Sequence, residues 1–156
     1  MNFNKKFVKY KERIIKYLDC FFLEKENRLS EVNMWAGDVI NKTRLFMKDG
    51  KMLRGCLAVL SYVMSGKKVN ADIIKAASAI ELFHSAFLVH DDIMDRDTVR
   101  RGRKSVYYQY KLFADRHALN DSGHFGESMG ICAGDVLIFF AFEILRAPAT
   151  PTTLSS

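Results

Sequence analysis

The sequence predicts an all-α helical bundle, on three observations. Apolar residues recur at helical spacing through almost the whole chain, no stretch alternates as a half-buried strand does, and turn-forming residues cluster at a few short breaks. No internal repeat is visible. At 156 residues, 49% of them hydrophobic and 12% aromatic, the chain is long enough to bury a real core as one domain.

Each helix follows from its own pattern. Phe7, Ile14, Leu18 and Phe21 share a helical spacing, as do Val8, Ile15 and Phe22, which predicts a long amphipathic first helix. Ser30 before Glu31 predicts the cap of a second, ending near Asp49-Gly50. A third is expected from Lys51 to Ser65, broken by Gly66-Lys67-Lys68, and Asn70 is expected to cap a fourth that reaches Asp95. Arg96 to Gly102 is expected as a loop, Ser105 to Arg116 as a fifth helix, Asn120 to Gly123 as a turn and Gly126 to Leu145 as a last helix. From Arg146 to Ser156 the composition changes: Pro148 and Pro151 cannot sit inside a helix, and the apolar period stops. The expected organisation is a helical domain over residues 1–145 and a disordered tail, foreign to the fold, over 146–156.

Composition narrows the function classes. The net charge of +6 invites a nucleic-acid or membrane-surface reading, since Lys5, Lys6, Lys9, Lys11, Arg13 and Lys16 crowd the first helix. A solvated face on the outer helix of a bundle explains them more simply, and no long like-signed block is present, so no nucleic-acid partner is expected. The longest apolar run, Val136 to Phe142, falls short of the roughly 20 residues that span a bilayer. The lysine-rich start lacks a secretory h-region, so neither a transmembrane segment nor a signal sequence is expected. Cys20, Cys56 and Cys132 are odd in number and lie in apolar patterns, which predicts buried free thiols and a cytoplasmic setting.

The most informative segment runs from Glu81 through Asp91-Asp92-Ile93-Met94-Asp95 to Arg100-Arg101. At 100° per residue, His84, Asp91 and Asp95 fall within roughly 40° of one another. Carboxylates spaced i, i+4 repel, and acidic groups at a helix C-terminus oppose its dipole, so the pattern is poorly explained as a solvated helix end. A cation between the carboxylates removes the conflict. Oxygen donors of this kind suit Mg²⁺ completed by waters and substrate phosphates, and the two arginines beyond supply a phosphate grip. Asp92 stands to the side. Because the preceding stretch from Ile73 to Val89 is apolar around most of its circumference, this helix is expected to be buried, bringing its charges to an interior mouth.

Phe83-His84-Ser85-Ala86-Phe87-Leu88-Val89-His90-Asp91-Asp92-Ile93-Met94-Asp95 with Arg100-Arg101-Gly102 resembles the first aspartate-rich motif and arginine pair of the trans-isoprenyl diphosphate (polyprenyl) synthases. Gly50-Lys51-Met52-Leu53-Arg54 resembles that family's glycine-lysine-x-x-arginine segment, and Ala133-Gly134-Asp135 its later small-glycine-aspartate helix. Four matches in the right order over about ninety residues are far more specific than a lone Asp-Asp-x-x-Asp. The resemblance runs from about Leu45 to Leu145 and covers the N-terminal half of such an enzyme, without the second aspartate-rich motif and the lysine-threonine element. It implies a truncated isoprenoid-synthase-type bundle. Asp49, Gly55 and Lys104 depart from the family pattern, the last two standing where proline is common.

The resemblance implies a prenyltransferase that condenses an allylic diphosphate with isopentenyl diphosphate, giving short- to medium-chain products. Asp91 and Asp95 would bind Mg²⁺, and Asp92 would orient a bound water or a metal ligand. Arg100 would hold the allylic diphosphate; Lys51, Arg54, His84 and Arg101 would hold isopentenyl diphosphate. Phe87 lies one turn below Asp91, and with Ala86 it occupies the positions that help set product length in the family. His90 points about 100° away from Asp91 and is expected to be structural, as is Asp135. Family members are commonly dimers, so a homodimer is the expectation for the full-length form. Without the second carboxylate set and a closed cavity, this chain alone is expected to be inactive or nearly so.

Three rivals compete. A metal-dependent phosphohydrolase could use His90-Asp91, but His84 and His90 stand about 120° apart on their helix. Glu81-x-x-His84 matches half of a di-iron bundle site and has no second copy. A non-catalytic subunit of a heteromeric prenyl synthase would have no need of an intact aspartate motif.

Overall fold

The structure, a computed structural model, describes residues 3–146; the expected tail from Ala147 onward lies outside the described residues. Six helices follow one another: α1 (Phe3–Leu29), α2 (Met34–Lys48), α3 (Leu53–Met64), α4 (Ala71–Met94), α5 (Val106–Arg116) and α6 (Ser122–Arg146). Between α4 and α5 lies a ribbon of two-residue strands, β1 (Val99–Arg100) and β2 (Arg103–Lys104), with Val99 opposite Lys104 and Arg100 opposite Arg103. The bundle is thus all-α apart from this hairpin, which replaces the expected loop. Arg101 (φ 55°) and Gly102 (φ 76°) supply the two left-handed residues of a two-residue hairpin turn. Strands this short leave no alternating pattern in a sequence.

α4 is the central helix, packed on α1, α3, α5 and α6. Asn70 caps it as expected, its side chain accepting from the Ile73 N–H at 3.0 Å. The cap of α2 is Asn33, not Ser30: the Asn33 oxygen accepts from Ala36 N at 2.8 Å, while Ser30 Oγ donates to Glu26 O at 2.6 Å and closes α1. α1 buries Tyr10, Ile14, Leu18 and Phe22 at strict four-residue spacing, leaving Val8 on the outside with the basic residues Lys5, Lys9 and Lys16. The expected solvated face is therefore present. One α1 cation is buried: Lys25 is paired with Glu143 of α6 at 2.5 Å.

The close approach of α6 to α4 and α5 depends on glycine. A Cβ on Gly126 would lie 2.7 Å from Tyr107 O, one on Gly130 2.7 Å from Tyr107 Cβ and 2.8 Å from Ile93 Cδ1, and one on Gly134 2.1 Å from His90 Nε2. Spaced four apart, these glycines form a groove along α6 that receives the other two helices. Trp35 of α2 closes the end of this contact, edge-on to Phe113 and Phe125.

One expectation needs correction. Of the three free cysteines only Cys56 is buried; Cys20 and Cys132 are exposed, because they fall on the outward sides of α1 and α6 despite apolar neighbours. α4 and α6 are long and apolar enough to cross a bilayer by length and composition only, a property shared with the core helices of a bundle, and 56% and 39% of their most apolar windows are buried here. On α6 the remainder includes the exposed Ile131, Phe139, Phe142 and Leu145.

Candidate functional site

The candidate residues gather where the C-terminal half of α4 meets the α2–α3 turn and the hairpin. The turn brings Lys51 to the surface through an unusual start to α3. Met52, at the N-cap position, is left-handed (φ 55°), buried, and gives no side-chain cap. The missing cap comes from α4, where the buried Glu81 accepts the Gly55 N–H through Oε1 at 2.7 Å. Sequence reasoning gave Glu81 no such role, and its pairing with a backbone N–H 26 positions away leaves no local signal. The glycine at 55 is what lets the helices meet, since a Cβ there would sit 2.9 Å from Ala77 O.

One turn along α4 from Glu81, His84 Nε2 lies 2.7 Å from Arg54 Nη1. Arginine only donates, so Nε2 accepts and the imidazole is neutral with its proton on Nδ1. Electrostatics agree: burial first, then Arg54 and Arg101, push the His84 pKa below its ordinary value of 6.5, with Asp91 pulling the other way and Arg100 adding to the depression. The structure therefore joins His84 and Arg54 directly and sets Arg101, Arg100 and Asp91 within their field. Lys51 is exposed on the turn beside them.

The three aspartates part company at the end of α4. Asp92 has no solvent exposure, and its Oδ1 pairs with Arg100 Nε; its other oxygen, Oδ2, is buried without a hydrogen-bond partner among the described residues. Burial raises the Asp92 pKa, and the bond to Arg100 opposes that rise. Arg100 also donates to Asp97 at 3.1 Å, so the guanidinium expected to hold a substrate is anchored to two carboxylates. Asp91 is half-buried and Asp95 exposed, one turn apart on the outer side. Asp95 also ends the helix, its N–H donating to Asp91 O at 2.8 Å.

Arg101 takes a different course, donating from Nη1 to Phe46 O at 3.1 Å and lying 5.2 Å over the Phe46 ring. Burial and the neighbouring Arg100 lower its pKa, against Asp49 and Glu81. Its left-handed backbone is one of five such non-glycine residues among those described, and Met52 and Arg96 are two others. Three of the five thus border this site. Such conformations cost of order 1 kcal/mol and persist only where surrounding contacts hold them.

Phe87 is 57% exposed one turn from Asp91, whereas Ala86 has no exposure and packs into the core, so the two do not share a surface. His90 faces α6, its ring against Gly134 and Nε2 3.3 Å from Ile131 O and 3.7 Å from Asp135 Oδ1, away from the Asp91 side. Among the described residues no three His, Cys, Asp or Glu side chains converge as a metal centre. The donor set on offer is the Asp91 and Asp95 carboxylates. Two hard oxygen ligands fit Mg²⁺ when waters and phosphate oxygens fill the other positions.

The family model described as Polyprenyl synthetase matches residues 40–155, extending on both sides of the segment that the motifs span. The chain is 37% identical over 99 residues to a short chain isoprenyl diphosphate synthase of Methanocaldococcus jannaschii, covering 64% of this chain and 25% of that one. It is 34% identical over 132 residues to a geranylgeranyl diphosphate synthase of Methanosarcina mazei, covering 78% and 36%. A crystal structure of geranylgeranyl pyrophosphate synthase from Corynebacterium glutamicum, complexed with isoprenyl diphosphate and magnesium, superposes with a TM-score of 0.71 at 26% identity, covering 94% of this chain and 42% of that one. The chain spans about a quarter to a third of the length of these curated relatives.

Proposed function

Taking as premise that the chain belongs to the polyprenyl synthetase family, we propose that it forms one wall of a prenyltransferase site that joins an allylic diphosphate to isopentenyl diphosphate. The observation that carries this reading is the outer face of α4. There a carboxylate pair (Asp91, Asp95), an Arg54–His84 pair and the exposed Phe87 succeed one another within three turns. Anion-binding, metal-binding and apolar surface are what a diphosphate with a hydrocarbon tail requires.

Asp91 and Asp95 would hold Mg²⁺, which supplies charge neutralisation for a leaving diphosphate. The chain's own residues do the rest. Arg54 and the exposed Lys51 bind a second diphosphate, and the neutral His84 donates a hydrogen bond from Nδ1 while its Nε2 keeps Arg54 in place. Asp92 holds Arg100, so its part is to position a cation. Phe87 offers apolar contact to the tail, supporting a short to medium product. The expected homodimer belongs to this same reading.

The 156 residues carry one aspartate rim, so diphosphate binding is the function expected of the chain, with little or no turnover by itself. Calorimetric titration of the purified chain with an allylic diphosphate analogue, with and without Mg²⁺, tests this. Affinity should rise about tenfold or more with Mg²⁺, and in Asp91→Asn/Asp95→Asn that gain should vanish. Equal affinity in both conditions would defeat the reading. Robust incorporation of labelled isopentenyl diphosphate would refute the expectation of low turnover.

A further inference from the structure

The Glu81-x-x-His84 spacing, which has no second copy to complete a di-iron site, has another meaning in the fold. Its two side chains reach one turn of α3 and hold consecutive residues there. Glu81 Oε1 accepts the Gly55 N–H at 2.7 Å, and His84 Nε2 accepts from Arg54 Nη1 at 2.7 Å. We propose that Glu81 is a positioning residue for diphosphate binding: by capping α3 from α4 it fixes where Arg54, and with it Lys51, stands relative to His84. This role rests on the reading of Lys51, Arg54 and His84 as a diphosphate grip.

The start of α3 does not hold itself. With Met52 at the N-cap position, Gly55 is the third residue of the helix, whose N–H an N-cap serine or aspartate side chain would take. Met52 offers no acceptor, and its left-handed backbone (φ 55°, ψ 34°) persists only where contacts impose it. Glu81, only 3% exposed, supplies the acceptor, and its negative charge suits the positive end of a helix. The seat is close. A Cβ on Gly55 would lie 2.9 Å from Ala77 O and 3.0 Å from both Glu81 Cγ and Ile14 Cδ1, which leaves α3 little room to shift. Arg54, one residue earlier, is exposed, and His84 is the one hydrogen-bond partner of its guanidinium among the described residues. The buried bond therefore sets the backbone from which the exposed bond is made. It exists because glycine stands at position 55: the proline common there in the family carries no N–H and donates nothing. The clamp thus belongs to this chain's departure from the family pattern.

Three substitutions separate acceptor reach from charge. Glu81→Gln keeps an oxygen acceptor at the same reach and loses the charge, Glu81→Asp keeps the charge and loses the reach, and Glu81→Ala loses both. In calorimetry of the full chain with inorganic diphosphate in EDTA, affinity should fall about tenfold in Glu81→Asp and Glu81→Ala and stay within about threefold of the parent in Glu81→Gln. The imidazole nitrogen NMR spectrum, recorded without ligand, reads the positioning directly. The His84 Nε2 signal shifted by the Arg54 bond should persist in Glu81→Gln and move toward that of an unbonded imidazole in Glu81→Asp. The gain in affinity for an allylic diphosphate analogue on adding Mg²⁺, which reports on Asp91 and Asp95, should be the same in the parent and Glu81→Asp. Parent-like affinity in Glu81→Asp and Glu81→Ala would overturn the role of Glu81 and leave the grip standing. Loss in Glu81→Gln with retention in Glu81→Asp would overturn it as well, since charge and not the cap would then govern binding. An equal loss of the Mg²⁺ gain would assign Glu81 to general stability and sink the proposal. No binding to the parent in EDTA would remove the grip from the proposed function, and this role with it. Should Glu81→Ala lose its helical circular dichroism, the Gln and Asp variants decide, and the same loss in Glu81→Gln would make the residue a folding element and overturn the inference.

Discussion

On its inward side α4 places Asp92 out of solvent against Arg100, with Leu82, Ala86 and Val89 packed behind it, whereas on its outward side Asp91 and Asp95 stand at the rim above Phe87 and His84. The two faces belong to one helix, and adjacent residues in the sequence serve opposite ends. The inward carboxylate contributes to the fold by fixing an arginine. Under the proposed function the outward pair would be stabilised by a bound cation, which offsets the repulsion between carboxylates one turn apart. The helical period that sets Asp92 apart from His84, Asp91 and Asp95 in the sequence thus gives one motif a structural part and a proposed binding part.

The sharpest test of that division is a pair of single substitutions. Asp92→Ala leaves Arg100 with Asp97 alone and opens a hole in the wall, for which a loss of about 3 kcal/mol is expected, at the low end for a broken buried pair because Arg100 reaches water. In a domain of this size that lowers the melting midpoint by about 6–12 °C. Asp91→Ala should move stability by no more than about 0.5 kcal/mol. Equal losses in the two thermal melts would erase the distinction between the faces.

Gly130→Ala probes the inward side from its partner. The new Cβ meets the root of Tyr107, which cannot swing away, and the tip of Ile93, which can. Overpacking of this kind costs about 1–3 kcal/mol, and the better helix propensity of alanine returns up to about 1 kcal/mol. A net loss near 1.5 kcal/mol in urea denaturation is expected. A stabilised variant would show that the helices are less tightly seated than their separation implies.

Much of this was legible beforehand, and the failures share a cause. The helices, the Asn70 cap and the shared face of His84, Asp91 and Asp95 follow from local periodicity, whereas the interior mouth expected for that face is an exposed rim at Asp95. Misplaced features turn on which of two local candidates is taken or on partners far along the chain. Ser30 and Asn33 can both cap, and the choice falls to Asn33 because α1 continues to Leu29 and takes Ser30 for its own end. Arg100 and Arg101 look alike in sequence, yet one is claimed by Asp92 and the other by a carbonyl of α2. Glu81 acquires its partner only when α3 docks. Ala86 and Phe87 are consecutive, so one of them had to face the core.

On the outward side the corresponding substitution is Asp91→Asn, whose effect should appear in binding alone. The Mg²⁺-dependent part of diphosphate affinity is expected to fall about tenfold, roughly 1.4 kcal/mol, with the metal-free affinity unchanged. If affinity drops equally in EDTA, Asp91 acts by shaping the Arg54–His84 pair and not as a metal ligand.

The smallest effect is a pH dependence, and it also separates the faces. The His84 pKa is depressed in the folded chain, so the unfolded chain binds the proton more tightly. His84 therefore contributes stability that is fully present above about pH 6.5 and lost as pH falls through its lowered folded value. His84→Gln removes this contribution, and the parent should lose stability relative to the variant on going from pH 7.5 to 5. Burial is the first cause of the depressed imidazole, and an anion bound beside Arg54 and Arg101 offsets the second, their positive field, so diphosphate binding near pH 6 should be accompanied by proton uptake. Titration in two buffers of different ionisation enthalpy measures that uptake. Uptake that persists in His84→Gln would assign the proton to the ligand's own phosphate. Its absence in the parent would place the bound anion away from this histidine.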